Sequence, residues 1–198
     1  MKNHRVLKQI LLLLLVIGVS GCGVNNIPTY DEQAQAKWHQ IENQYKRRAD
    51  LIPNLINTVK GYASHEKEVL TAVVEARAKA TSTALPEDLV TNPEAMQAFQ
   101  DNQQALSSAL SRLLVVVEQY PDLKSSANFL SLQSQLEGTE NRIAIARRDY
   151  IEAVRIYNTE LRTYPGKLWK SYLYSDAKPR ASLSVDQSDL VNPVVNFD

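Results

Sequence analysis

Apolar positions recur in steps of three and four along most of this chain, and short polar runs carrying proline or glycine divide the pattern into segments. Trp38, Ile41, Tyr45, Arg48, Ile52, Leu55, Val59 and Tyr62 form one heptad stripe in which Arg48 is the lone charge. They predict a helix over about 31–62. Pro53 falls inside it; a proline there removes one backbone hydrogen bond and crowds the preceding turn, so a kink rather than a stop is expected. Gly61 and Ser64 mark an end and a new N-cap. Glu66 and Glu68 then suit the positive end of a following helix, and Val69, Val73, Ala76 and Ala80 carry an apolar face over 64–84. Pattern alone leaves open whether these are two helices or one.

Asn92-Pro93-Glu94 supplies a cap, a proline at the first helical position and an acid in the first turn, and opens a helix over 93–120. Its stripe is Met96, Phe99, Gln103, Leu106, Leu110, Leu113, Val117 and Tyr120. Pro121-Asp122 begins the longest helix, over 122–164, whose stripe runs from Phe129 to Tyr164 and stops at Pro165-Gly166. About 40 residues at this pitch span about 60 Å. After Tyr174 the period ends, and the 175–198 segment reads as a mostly disordered tail. Nothing reads as a strand. The expected fold is all-α, an up-and-down four-helix bundle with long antiparallel helices.

The N-terminal stretch breaks this pattern. Lys2, Arg5 and Lys8 precede the unbroken apolar run Ile10 to Ile17, which ends in Gly18, Ser20, Gly21 and the chain's one cysteine, Cys22. Basic head, short apolar middle and small-residue exit make residues 1–21 a secretory signal. A membrane-spanning helix needs about 20 apolar residues, more than this run supplies. Val19-Ser20-Gly21-Cys22 looks like a bacterial lipobox. Cleavage between Gly21 and Cys22 would leave Cys22 as a lipidated first residue with a palmitate-type anchor of two or three acyl chains, enough for stable attachment. Residues 22–30 then read as a lipidated tether. Envelope lipoproteins retained at the inner membrane carry Asp after the cysteine; Gly23 stands there instead. That favours the periplasmic face of the outer membrane, with the inner membrane or the cell surface as alternatives.

Charge and residue usage narrow the chemistry. Removing the first 21 of 198 residues leaves 177, enough for one domain with a sizeable core. The signal takes three of 22 bases and none of 22 acids, so the remainder is 19 against 22, a net charge of −3. That carries no nucleic-acid footprint. With Cys22 lipidated, no thiol is left for a disulfide. His39 and His65 are the histidines left after processing, with no metal-ligand spacing around them. No nucleophile elbow or glycine-rich phosphate loop occurs, so no catalytic residue, metal or cofactor is expected.

Longer motifs point to a family. Tyr45-Lys46-Arg47-Arg48-Ala49-Asp50-Leu51-Ile52-Pro53-Asn54-Leu55 and Val59-Lys60-Gly61-Tyr62-Ala63-Ser64-His65-Glu66 resemble the LemA family closely. So do Glu75-Ala76-Arg77-Ala78, Tyr120-Pro121-Asp122-Leu123-Lys124, Asn128-Phe129-Leu130, Thr139-Glu140-Asn141-Arg142-Ile143 and Ala146-Arg147-Arg148-Asp149-Tyr150. The resemblance spans about 31–174. It implies an extracytoplasmic, membrane-anchored up-and-down helical bundle with no established enzymatic activity. Many members carry an uncleaved transmembrane helix, where this chain has a lipobox.

Arg48 on the apolar stripe either snorkels out of the seam or takes a buried partner, because an unpaired interior charge is costly. The last helix places Glu140, Arg147, Arg148, Asp149 and Glu152 near its seam, giving a structural charge cluster. If the first and last helices are antiparallel, counting from their ends puts Arg48 level with about residue 147, against Asp149 or Glu152. If they are parallel, Arg48 meets Glu140. The antiparallel arrangement and the first pairing are expected. Trp169, Tyr172 and Tyr174 fall at the tether end, to rest on lipid or to pack back over the bundle base. The function expected is that of a lipid-anchored, non-enzymatic envelope interaction or scaffold module. Its partners would be the membrane, through Cys22, an unknown envelope protein and a second copy of itself. An envelope hydrolase and a self-assembling membrane-shaping subunit are the alternatives.

Overall fold

A computed structural model describes residues 23–82 and 89–184. The signal, the Gly21–Cys22 junction and Cys22 itself lie outside the described residues. All regular structure among the described residues is helical. The elements are α1 (Asn26–Tyr62), α2 (Lys67–Ser82), a 3-10 turn (Leu89–Thr91), α3 (Pro93–Val117), α4 (Pro121–Lys124), α5 (Ala127–Glu160) and α6 (Gly166–Tyr172). No described helix is long and apolar enough to cross a membrane.

The heptad stripes are the buried faces. Trp38, Ile41, Tyr45, Arg48, Ile52, Leu55 and Val59 are all buried on α1, and Met96, Phe99, Gln103, Leu106, Leu110, Leu113 and Val117 on α3. The stripes fail at their ends, where Tyr62 and Tyr164 are exposed. Pro53 sits inside α1, which continues through it to Tyr62. α1 and α2 are separate helices: Ala63 closes the first, and Leu70 N donates to Glu66 O, so Glu66 rather than Ser64 stands at the start of the second. Asn92 caps α3 as the motif predicts, its Oδ1 accepting from Glu94 N and Ala95 N, both at 3.1 Å. Asn92→Ala is expected to cost about 1 kcal/mol, read as a lowered urea midpoint.

The long helices pair in two sets. α1 lies along α5, with Lys37 opposite Asp149, Gln44 opposite Arg142 and Asn26 opposite Glu160, so the two run antiparallel. α2 lies along α3, with Gln103 Nε2 donating to Ala80 O and Tyr120 to Glu66. α2 has 16 residues, about 24 Å, and α1 has 37, about 55 Å. The part of α1 before Arg48 therefore extends beyond α2.

Another segment fills that space. The expected disorder of 175–198 is corrected for 175–184; the rest of that tail lies outside the described residues. Ala181 and Leu183 are buried against Trp38, Tyr150 and Val154. Ala181 and Leu183 alternate with exposed Ser182 and Ser184, as in extended chain. Ala181 N donates to Val90 O at 2.7 Å, and Arg180 Nε pairs with Asp31 at 2.8 Å. This strap packs on the α1–α5 pair because α2 is too short to cover it.

The tether is also corrected. Residues 26–30 belong to α1, where Ile27 is buried with Tyr157 and Leu161, and Tyr30 packs against them. At the other end α5 stops at Glu160, before Tyr164. The chain folds back so closely that a Cβ on Gly166 would collide with Glu160 O. The residues 122–126 expected to continue α5 form α4 and the Ser126 cap. These shifts correct the Arg48 pairing. α1 starts five residues earlier than expected and α5 ends four earlier, which moves the antiparallel register by nine. Arg48 therefore meets Glu140, and not Asp149 or Glu152.

The strap gives one ionisation a stability consequence. Tyr150 is fully buried and its hydroxyl donates to Ala181 O at 2.9 Å. Burial pushes this hydroxyl up to about 12, with the nearby Arg180 charge pulling the other way. The unfolded chain releases the same proton near pH 10, so the native state holds it over the interval between. Stability from this group is complete below pH 10 and is lost as pH rises from 10 to 12, by about 2–3 kcal/mol. Urea midpoints at pH 9 and pH 11.5 should show the fall, and Tyr150→Phe should reduce it.

Candidate functional site

A polar layer divides the interior. One apolar cluster runs from Ile52 and Leu106 to Phe129 and Leu136; the other holds Trp38, Tyr45, Phe99, Ile143 and Tyr150. Between them lie Arg48, Gln103 and Thr139, each on the inward stripe of its helix and each buried. Arg48 is 1% exposed. Its Nη1 donates to Ser107 Oγ and to Glu140 Oε1, both at 3.0 Å, and its Nη2 donates to Gln103 Oε1. The guanidinium lies over the Tyr45 ring, 5.0 Å from its centre. Gln103 passes the connection on to Ala80 at the end of α2. One arginine thus joins α1, α3 and α5, and through Gln103 reaches α2. Arg48 Nε alone of its nitrogens is buried without an acceptor among the described residues.

A groove of about 720 Å³ opens onto this layer between α3 and α5. Arg48 and Tyr45 form its floor. Gln104 lines the α3 side, and Ile145, Arg147, Arg148 and Ile151 the α5 side, with Ser184 also on the wall. A second hollow of about 510 Å³, lined by Leu110, Leu114 and Leu136, shares Ser107, Glu140 and Asn141 with it. The two hollows make a furrow that is basic at one end and apolar at the other.

Four of the six residues expected in the charge cluster meet here. Arg48 and Glu140 are paired, Arg147 donates to Ser184 O at 3.0 Å, and Arg148 lines the groove with its side chain exposed. The other two lie outside it. Asp149 pairs with Lys37 at 2.9 Å, and Glu152 pairs with Arg155 on its own helix at 2.6 Å. The Arg155 guanidinium holds the Glu152 carboxyl below its ordinary range. Gln103 and Ser107 were not anticipated as Arg48 partners. A signal for Gln103 existed: the stripes of α1, α3 and α5 each have a polar break, at Arg48, Gln103 and Thr139. Asp31 and Arg180 had no such signal.

Arg48 is already engaged with Glu140, Ser107 and Gln103. Ser107 accepts from Arg48 and donates to Gln103 O, with no imidazole bonded to it among the described residues. His39 bonds Glu42 on an exposed face, and His65 is exposed. Among the described residues no three His, Cys, Asp or Glu side chains are grouped to hold a metal.

The sequence matches the LemA family over residues 37–197. This chain belongs to the LemA family. The matched span takes in α1 from Lys37 onward, the later helices, the polar layer and the strap. Among curated relatives, the LemA-family chain is 30% identical over 157 residues to the magnetosome protein MamQ 2 of Paramagnetospirillum magneticum, covering 71% of this chain and 58% of that protein. It is 26% identical over 162 residues to the protein LemA of Metamycoplasma hominis, covering 77% of this chain and 68% of that one. The chain thus spans little more than half the length of the magnetosome relative.

Proposed function

We propose that this LemA-family chain is a membrane-associated interaction module, lipid-anchored through Cys22 and non-catalytic, that docks another envelope component in the furrow between α3 and α5. The observation carrying this reading is the furrow itself, with a basic lip at Arg147 and Arg148, an apolar wall at Ile145 and Ile151, and a rigid floor at Arg48. Such a surface suits an acidic segment with apolar anchors. Family membership supports membrane association. The lipobox at Val19 to Cys22 supports lipid anchoring, and Gly23 in place of Asp supports the periplasmic face of the outer membrane. We also read α1, α2, α3 and α5 as an up-and-down bundle. Support comes from the Arg77 bond to Ala49 across the α1–α2 pair and from the opposed contacts of α2 with α3 and of α1 with α5.

A photo-crosslinker at Ile145, in cells making the full-length protein, tests the docking reading. A discrete envelope protein captured from Ile145, absent from an exposed control position such as Lys60 and lost with Arg148→Glu, supports it. Equal capture from both positions overturns it. Capture of a second copy of the chain favours the self-assembling subunit instead. Metabolic lipid labelling tests the anchor: label that persists in Cys22→Ser removes it.

A further inference from the structure

α6 is a helix of seven residues that leaves much of its apolar surface uncovered. Trp169 packs on Ile27, Tyr157 and Leu161. Leu168 and Tyr172, one turn apart on α6, Leu173 at its end and Tyr164 in the turn before it present exposed apolar side chains. They are 43%, 79%, 60% and 71% exposed. Exposed Lys167 adjoins them. Four large apolar side chains exposed this close together in the chain mark a surface that something covers. Large rings with polar tips, leucines and lysines together are the composition of a bilayer interface.

The position of the chain's N-terminal end indicates what the cover is. Pro165 Cγ lies 3.4 Å from where a Gly23 side chain would begin, and Asn26 Nδ2 donates to Glu160 Oε1 at 3.2 Å. The described chain therefore starts beside the α5–α6 corner that carries the exposed row. It has no slack there. Gly23 makes a turn at φ +86°, a conformation that glycine adopts without strain, and α1 starts at Asn26. One peptide unit, about 3.8 Å between Cα atoms, separates Gly23 from Cys22.

We propose that Tyr164, Leu168, Tyr172 and Leu173 are a lipid-docking surface, inserted in the bilayer interface next to the acyl chains on Cys22. This rests on the lipid-anchored reading of Cys22. An anchor one residue from the domain cannot hold it off the membrane, so the row of side chains beside that anchor enters the headgroup layer. The domain then stands on its α5–α6 corner, and the α3–α5 furrow is carried away from the lipid at a fixed orientation.

Tryptophan fluorescence tests this. The chain has two tryptophans. Trp38 is buried in the cluster beside Tyr150, about 18 Å along α1 from Asn26. Trp169 lies under the proposed surface. Full-length lipidated protein is reconstituted in phosphatidylcholine–phosphatidylglycerol vesicles, with or without phosphatidylcholine brominated near the headgroup end of its acyl chains, and flotation is scored in parallel. Docking predicts quenching of the Trp169 share of the emission, loss of that quenching in Trp169→Phe, and weaker quenching in the Leu168→Glu, Tyr172→Glu double variant, which still floats. Protein that floats with unquenched emission overturns the docking and leaves the anchor standing. Protein that does not float overturns both.

Discussion

Glu140→Ala is expected to destabilise the domain by about 3 kcal/mol, roughly twice the effect of Arg48→Met. The two side chains form one ion pair in unequal surroundings, 2% exposed for Arg48 and 44% for Glu140. Losing the carboxylate strands a buried cation with only the neutral oxygens of Ser107 and Gln103. Losing the arginine leaves a carboxylate that turns into the water of the groove, and methionine refills most of the vacated volume. The remaining penalty is the unmade bond at Gln103 and the lost stacking on Tyr45, about 1–2 kcal/mol. Urea unfolding of the two single variants and the double variant measures this. The double variant should be close to Arg48→Met alone, since without the cation Glu140 has little left to neutralise.

Ending the chain after Ala177 should lower stability by about 4–6 kcal/mol. The strap buries Leu183, worth about 2 kcal/mol, and smaller Ala181. It also supplies the Arg180–Asp31 pair, in which the arginine side chain is 7% exposed. Ala181 O accepts from Tyr150 and Arg180 O from Asn158, each bond worth about 1 kcal/mol. A chain ending after Ser184 keeps all of these, so the difference between the two truncations isolates the strap. Trp38, in the cluster the strap covers, provides the emission signal for both unfolding curves.

Those two sites differ in how visible they were in the sequence. The inward faces of α1, α3 and α5 were legible because a helix repeats its buried positions every three or four residues, and that spacing survives any uncertainty about where the helix ends. The partner of Arg48 was not legible, because a level between antiparallel helices depends on both ends at once. Ile27 drew α1 inward past Asp31, and Gly166 folded the chain back after Glu160, and neither residue belongs to a stripe. The strap was hidden for another reason. Two buried residues, Ala181 and Leu183, are too few to establish any period, and their burial follows from the shortness of α2. The furrow was half legible: Arg147 and Arg148 stood out as charges, but its apolar wall includes Ile145, which lies off the stripe and is exposed.

The pairing of α1 with α5 has a consequence for the order in which this chain can fold as it is made. α1 is complete once Tyr62 has been added, yet the helix it lies along begins at Ala127, and the segment that closes over Trp38 ends near Leu183. α2 and α3 meet each other earlier, as neighbours in the chain. A polypeptide emerging from its N-terminus therefore carries α1 with the face that α5 and the strap cover still open until nearly the whole domain has been synthesised. Asp31 waits longest, since Arg180 is 149 residues behind it. A chain whose first-made helix stays open until the last is made remains extensible for most of its synthesis, and locks only when its C-terminal strap arrives.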